Sequence, residues 1–385
     1  MADTSVKFFH SEMPGAPTLN GLAGSLINVL NACLINGFGL KNVDTCTVTG
    51  GVAKLNISTG HSAVVGSVIL VAGATPAALN GEQRVTATTT TSISFATSVT
   101  DQSATGAITV KQAPAGWVSP FVGTNIATYK SPDLAATGCV LRVDDTAKRY
   151  SRVVGYEAMT DINTGTGQFP TTAQRSGGSY WSKSSTADSV TRSWRLFADG
   201  GALYLCVSPS ASYPMWCELV VFGDIVPAKS GDAYACVISG ADSDMSTGSA
   251  QSYANGLYSA PALANIFTPR AYTGVSSSQQ MVRRFTSLIS NTDIYSGGDD
   301  VPFPNPADGG LYLTPFNIFD GADKTYRGYL PGLSAVPQKI LDSTFVSGDI
   351  VNGTGNSVGR KLLAISMSYS NLSATAFIDV TGPWR

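Results

Sequence analysis

Apolar residues recur along this chain in short runs broken by Gly, Pro, Asn and Asp. That is the punctuation of β-strands and tight turns rather than of helices. The clearest case lies between Arg195 and Gly240. Two apolar runs, Arg195 to Phe197 and Ala202 to Val207, flank Asp199-Gly200-Gly201. This is a hairpin signal, in which glycine is expected to supply positive φ. A third run spans Met215 to Phe222 and a fourth Ala233 to Ile238. The pattern predicts an antiparallel meander at the core of an all-β domain.

One stretch departs from this rhythm. Leu19, Leu22, Ala23, Leu26, Ile27, Leu30, Cys33 and Leu34 recur at the spacing of one α-helical face. Thr18 is the expected N-cap and Gly37 the expected C′ residue. The opposite face carries Asn20, Ser25, Asn28 and Asn31, polar but uncharged, which suits burial at an interface. Residues 1 to 17 form a Pro/Gly-containing arm with Phe8, Phe9 and His10, expected to pack on its own domain or on a neighbour.

Between Val43 and Val110 about six short strands follow one another, with a hairpin at Gly50-Gly51, as in a small barrel or sandwich. Ala113 to Gly116 reads as a linker. The remainder alternates strands and turns, including WVSPFVGTNIATYKS, CVLRVDDTAKRYSRVVGYEAM with Asp144-Asp145 heading a turn, KLLAISMSY and ATAFIDVTG. Gln279 to Ile289 fits a short helix or a strand. The expected organisation is mainly β. The arm and amphipathic helix occupy 1–40, a small β-barrel or sandwich module 41–113, and a larger antiparallel β-sandwich 114–385.

The module contains Gly60-His61, Val65 to Val68, Val71 to Gly81 and Ala104 to Val110, and on these segments it resembles a small β-module of tailed-phage virion proteins. The large region carries GWVSPFVGTN, LRVDDTAKRYSRVVGYEAMTDINTGTGQFPT, RLFADGGALYL, VVFGDIVPAKSGDAYA, RGYLPGLSAVP and the terminal IDVTGPWR. With these it resembles a family of virion proteins from tailed phages and prophages. The resemblance implies a structural role in a virus particle assembled in the host cytoplasm, and brings no catalytic motif with it.

Composition narrows the reading further. Charged residues are 13% of the 385, about half the usual ~25%, and Gly, Ser and Thr fill the gap. This suits strand-and-turn construction and surfaces buried against neighbours, where unpaired charge is costly. The net charge of −2 and the scattered Lys and Arg offer no stripe for phosphates, so nucleic acid is not an expected partner. No apolar run approaches the ~20 residues of a membrane span, and MADTSVKFFHSEMPG has no secretory pattern. The six cysteines include no C-x-x-C pair and are expected to be buried thiols. Cys206 and Cys217 could pair across adjacent strands, which a reducing compartment would oppose, and the sequence leaves disulfide pairing open.

Candidate chemistry is sparse. Asp242, Asp244 and Ser246 superficially match a calcium loop, but Thr247 stands where Gly is required and Tyr253 where Glu is required. Asp293 and Gly297 to Asp300 could gather a cation, although turn chemistry explains the same residues. Asn163 to Gly167 lacks the Lys-Ser/Thr ending of a phosphate loop. His10 and His61, the only histidines, occupy the arm and a turn, and Glu82, Glu157 and Glu218 fall in different elements. No catalytic, cofactor or metal residues are therefore assigned. Trp181 and Trp216 are core or interface residues on the favoured reading, and sugar-stacking residues on the alternative of a host-glycan receptor. The expected function is structural and non-enzymatic: a tail- or baseplate-associated virion component forming homo-oligomers and binding other virion proteins. Capsid decoration is the alternative location.

Overall fold

The computed structural model describes residues 2–212, 217–244, 265–284, 302–321, 324–338, 340, 344–369 and 372–385. Among these the chain is mainly β. Antiparallel sheets of 13, eight and five strands and a two-stranded hairpin accompany one α-helix.

The meander is present. Strands Ser193–Ala198, Ala202–Ser208, Glu218–Asp224 and Cys236–Ser239 lie side by side. Every residue of Ala202–Ser208 is buried, as expected of a strand covered on both faces, which explains its unbroken apolar run. The hairpin forms at the expected place but for a different reason. Gly200 and Gly201 both lie outside the positive-φ region. The turn is instead tied by the Asp199 carboxylate, which accepts from the backbone N–H of Gly201 (2.8 Å) and Ala202 (2.7 Å). Gly201 leaves room for the C-terminal Arg385, whose guanidinium pairs with Asp199.

Strands Ile266–Thr268, Ser278–Arg284, Thr314–Asp320 and Tyr326–Ala335 extend this sheet, followed in space by Leu372–Asp379, Lys361–Tyr369 and Ile350–Asn352. The ambiguous stretch from Gln279 is thus a strand as far as Arg284; residues 285–289 lie outside the described residues. At the opposite edge, Lys7–His10 pairs with Ser193–Ala198, so the aromatic arm packs on its own domain and buries Phe8 and Phe9. The sheet curls until its halves meet. Val226–Pro227 pairs with Tyr326–Ala335, the Tyr204 hydroxyl donates to Pro331 O (2.8 Å), and Arg195 donates to Ser347 O (2.9 Å). Trp384 closes the gap, its ring edge-on to Tyr204 at 5.4 Å. It lies so near Gly332 that any Cβ there would collide with the indole.

The five-stranded sheet comprises Val122–Gly123, Ile126–Lys130, Val140–Asp144, Tyr150–Tyr156 and Ser179–Ser182. Its inward residues Tyr129, Leu141, Val143, Val153 and Trp181 share one core with the meander, the arm and the helix. The arm and helix are therefore built into the large domain's interior. The eight-stranded sheet spans Phe38–Asn42 to Thr109–Gln112 and has its own core around Leu55, Ile69, Val85, Phe95 and Val110; seven of its strands begin between Val43 and Val110, where the sequence pattern suggests about six. Gly50 and Gly51 both take positive φ in its first hairpin, as expected. Arg84 joins this sheet to the large one, donating to the carbonyls of Asp3, Val6, Gly66, Val380 and Thr381.

The helix is shorter at its start than its periodicity predicts. It runs as an α-helix over Ser25–Leu30 and continues as a π-helical turn over Asn31–Asn36, with Gly37 at φ 70° ending it as expected. Thr18 is not its cap. Leu19 pairs with Arg192, whose N–H donates to Leu19 O (2.8 Å), and Gly21 donates to Asp188 O. These bonds tie Leu19 and Gly21 to the Asp188–Arg192 segment and the chain turns before the helix begins, so tertiary pairing overrides the local period. Leu22 and Ala23, assigned to the apolar face, are consequently exposed.

Cys206 and Cys217 form a disulfide between neighbouring strands, with Cα atoms 5.9 Å apart, while Cys33, Cys46, Cys139 and Cys236 are buried thiols. The expectation of six free thiols is corrected for this pair. Alkylation of the unfolded, unreduced protein should label the four thiols and leave 206–217 linked. Replacing both bridged cysteines by Ser should cost about 3 kcal/mol for the short loop released, measured by denaturant unfolding. Labelling of all six sites without reductant would refute the bridge.

Glu218 gives a second prediction. It is buried, its Oε2 accepts from Ser182 N–H (3.0 Å), and its Oε1 has no partner among the described residues. Burial pushes its carboxyl from the ordinary 4.5 to about 7. A raised carboxyl contributes stability that is complete below its unfolded value and is lost as pH rises through the folded one. Stability should therefore fall by about 3 kcal/mol between pH 4.5 and somewhat above 7. Glu218→Gln should flatten that slope in unfolding curves taken across the range; an unchanged slope would show the carboxyl is ionised throughout.

Candidate assembly surface at the N-terminal helix

No residue within the first turn caps this helix. Gly24 occupies the N-cap position at φ 80°, with no side chain to offer. The cap comes from Asp145, at the end of strand Val140–Asp144. Its Oδ2 accepts from the N–H groups of Leu26 (2.8 Å) and Ile27 (3.3 Å). Its Oδ1 accepts from Ser151 Oγ (2.7 Å) and lies 2.5 Å from Lys183 Nζ. Lys183 donates in turn to the carbonyls of Leu22 and Ala147, each at 2.8 Å. Both charged side chains are completely buried. Burial pushes the Asp145 carboxyl upward and the Lys183 amine downward, each against the pull of the other. Gly24 further donates to Asp145 O, and the Tyr129 hydroxyl donates to Asn31 Oδ1 (2.9 Å). The helix is thereby fixed at both ends to the five-stranded sheet.

What this anchorage presents to solvent is a shallow hollow of about 500 Å³ lined by Pro17, Thr18, Asn20, Leu22, Ala23 and Asn28. None of these side chains is charged. Leu22 is 40% exposed, and Ala23 and Asn28 are exposed beside it. Asn20 accepts from Leu22 N–H (3.1 Å), which holds the loop in shape. The nearby Asp188 is engaged by Arg192 at 2.9 Å. Of the face expected to be outward, Asn28 is exposed, Asn20 and Asn31 are half-buried, and Ser25 is buried, donating to Asn20 O. A rigid, uncharged, partly apolar surface can be covered by another protein without leaving a charge desolvated.

The other candidates disperse. His10 is half-buried on the arm strand; burial and the neighbouring Arg195 cation lower it to about 4. His61 contacts the carbonyls of Thr89 and Ser92. Glu82 pairs with Lys7, Glu157 makes a bidentate pair with Arg270, and Glu218 is buried in the core against the Ser182 N–H. Asp244 pairs with Arg149; Ser246, Thr247 and Tyr253 lie outside the described residues, as do Asp293 and Gly297 to Asp300. Asn163 to Gly167 belongs to the hairpin Ala158–Asp161/Thr164–Thr166. No metal-holding group of His, Cys, Asp and Glu occurs among the described residues. Trp181 is fully buried and donates to Ser239 O, so it is a core residue and not a sugar platform; Trp216 lies outside the described residues. Sequence reading gives Asp145 only a place at the head of a turn and does not single out Lys183, which sits in a polar run. No family model matches this chain, and no curated protein matches it.

Proposed function

We propose that this chain is a structural component of a tailed-phage virion, acting through oligomeric assembly at the tail or baseplate. The observation that carries the reading is the uncharged hollow around Leu22 and Asn28, held rigid from beneath by a buried ion pair. A low-charge chain built from continuous antiparallel sheets is consistent with it. So are the sequence segments that resemble tailed-phage virion proteins. The partners are further copies of the chain and other virion proteins, which bury area at such faces without separating charges.

The test is a charge placed in the hollow. Asn28→Glu and Leu22→Glu should each abolish oligomers in light scattering at micromolar concentration and shift the melting temperature little, because both side chains are already exposed. Assembly identical to the parent would mean the hollow is merely solvated. Copy number per particle by quantitative mass spectrometry fixes the location: a few tens supports the tail or baseplate, and several hundred moves the protein to the head.

A further inference from the structure

We infer that Lys183 and Asp145 are joined by an intramolecular amide bond between Lys183 Nζ and Asp145 Cγ. The structure shows the two groups that would react, and the arrangement around them supplies each requirement of the condensation.

The first requirement is contact without water. Nζ and Oδ1 are 2.5 Å apart and neither side chain reaches solvent. Holding two reactants in this way replaces a bimolecular encounter with a local step, and excluding water removes the competing hydrolysis. The second is an uncharged nucleophile. Desolvation penalises both ions, so the pair reaches its neutral form when one proton moves from Nζ to Oδ1. The neutral amine keeps two N–H groups, and two carbonyls, Leu22 O and Ala147 O, stand ready to accept them. Its lone pair is then left to face the carboxyl.

The third requirement is a place for developing charge. When Nζ adds to Cγ, negative charge grows on Oδ2. That oxygen already receives the N–H groups of Leu26 and Ile27. Two backbone donors aimed at one carboxyl oxygen are the arrangement that stabilises a tetrahedral oxyanion. The fourth is an exit for the other oxygen. Ser151 Oγ donates to Oδ1 at 2.7 Å and can relay a proton to it.

The balance closes with no oxidant or co-reactant. The Nζ–Cγ bond forms and the Cγ–Oδ1 bond breaks. Oδ1 departs as water, carrying the carboxyl proton and one amine proton. The second amine proton stays on the amide nitrogen. Oδ2 remains as the amide oxygen and still caps the helix. The product ties the end of Val140–Asp144 to the end of Ser179–Ser182 and makes the helix anchor covalent.

The experiment is mass spectrometry of the full chain, denatured, reduced and alkylated, followed by tryptic mapping. The expected result is a mass one water below that of the sequence, with a branched peptide joining the Asp145 and Lys183 segments. The Lys183→Arg chain, which keeps the charge but cannot form the bond, should regain the full mass. Recovery of the Lys183 segment as a separate, unbranched peptide from the native chain would overturn the inference, and so would loss of the same water from the Lys183→Arg chain. If that variant does not fold, the branched peptide of the native chain decides alone.

Discussion

The geometry of the N-terminal region depends on the buried contact between Asp145 and Lys183, an ion pair before any bond forms between them. Removing a carboxylate and an ammonium from water costs several kcal/mol each, and their mutual attraction offsets this only when the remaining hydrogen-bonding capacity is also met. Asp145 and Lys183 satisfy that condition with two helix N–H groups, one hydroxyl and two carbonyls. The pair replaces the missing cap of a helix that begins at glycine. It also holds the loop from Leu19 to Ala23 against strand Ser179–Ser182 and the turn after Val140–Asp144. An apolar pair of the same volume would satisfy the core, yet it would leave the Leu26 and Ile27 N–H groups buried without acceptors.

The large sheet imposes the second constraint. A sheet of 13 strands has two edges, and edges invite pairing with other chains. Here one edge is the short arm strand, clasped by Arg84 of the small module, and the other is the three-residue strand Ile350–Asn352. The last residues, Trp384 and Arg385, pack back onto Tyr204 and Asp199 in the meander. Both ends of the chain thus converge on the strands at the centre of its sequence.

How much of this was legible follows from how local each cause is. Hairpins written in adjacent residues were readable: Gly50-Gly51 takes the positive φ that its glycines permit, and the run from Ala202 to Val207 is a buried strand because nothing in it could tolerate solvent on either face. Gly37 ends the helix for the same local reason. The helix starts later than its spacing suggests because Leu19 and Gly21 are tied to Arg192 and Asp188, more than 160 residues away, and the chain turns through Leu22 and Ala23 before the helix begins. Asp199 was read beside its glycines, yet its carboxylate ties the turn. Asp145 was unreadable as a cap, since it lies 119 residues from Leu26. Trp181 illustrates the converse: its apolar environment lies on another strand, so its burial could not be distinguished from exposure in GGSYWSK.

The low charge content takes on a clearer meaning once the pairs are placed. Arg327, fully buried, reaches Asp232 at 2.8 Å; Arg192 holds Asp188; Arg360 holds Asp379; Arg385 holds Asp199; and Lys183 holds Asp145. Arg84 faces five carbonyls rather than solvent. A chain already poor in charge therefore engages many of its cations as internal fasteners, some local, as Arg192 with Asp188, and some between distant elements, as Arg385 with Asp199 and Arg327 with Asp232. The consequence for the surface is direct. Where the fasteners lie beneath, as under the helix, the residues above them are Asn, Thr, Leu and Ala. Such a face loses little on desolvation and is held too firmly to rearrange. Burying it against another molecule would then cost little conformational entropy, because the loop and helix are already ordered by the contacts beneath them.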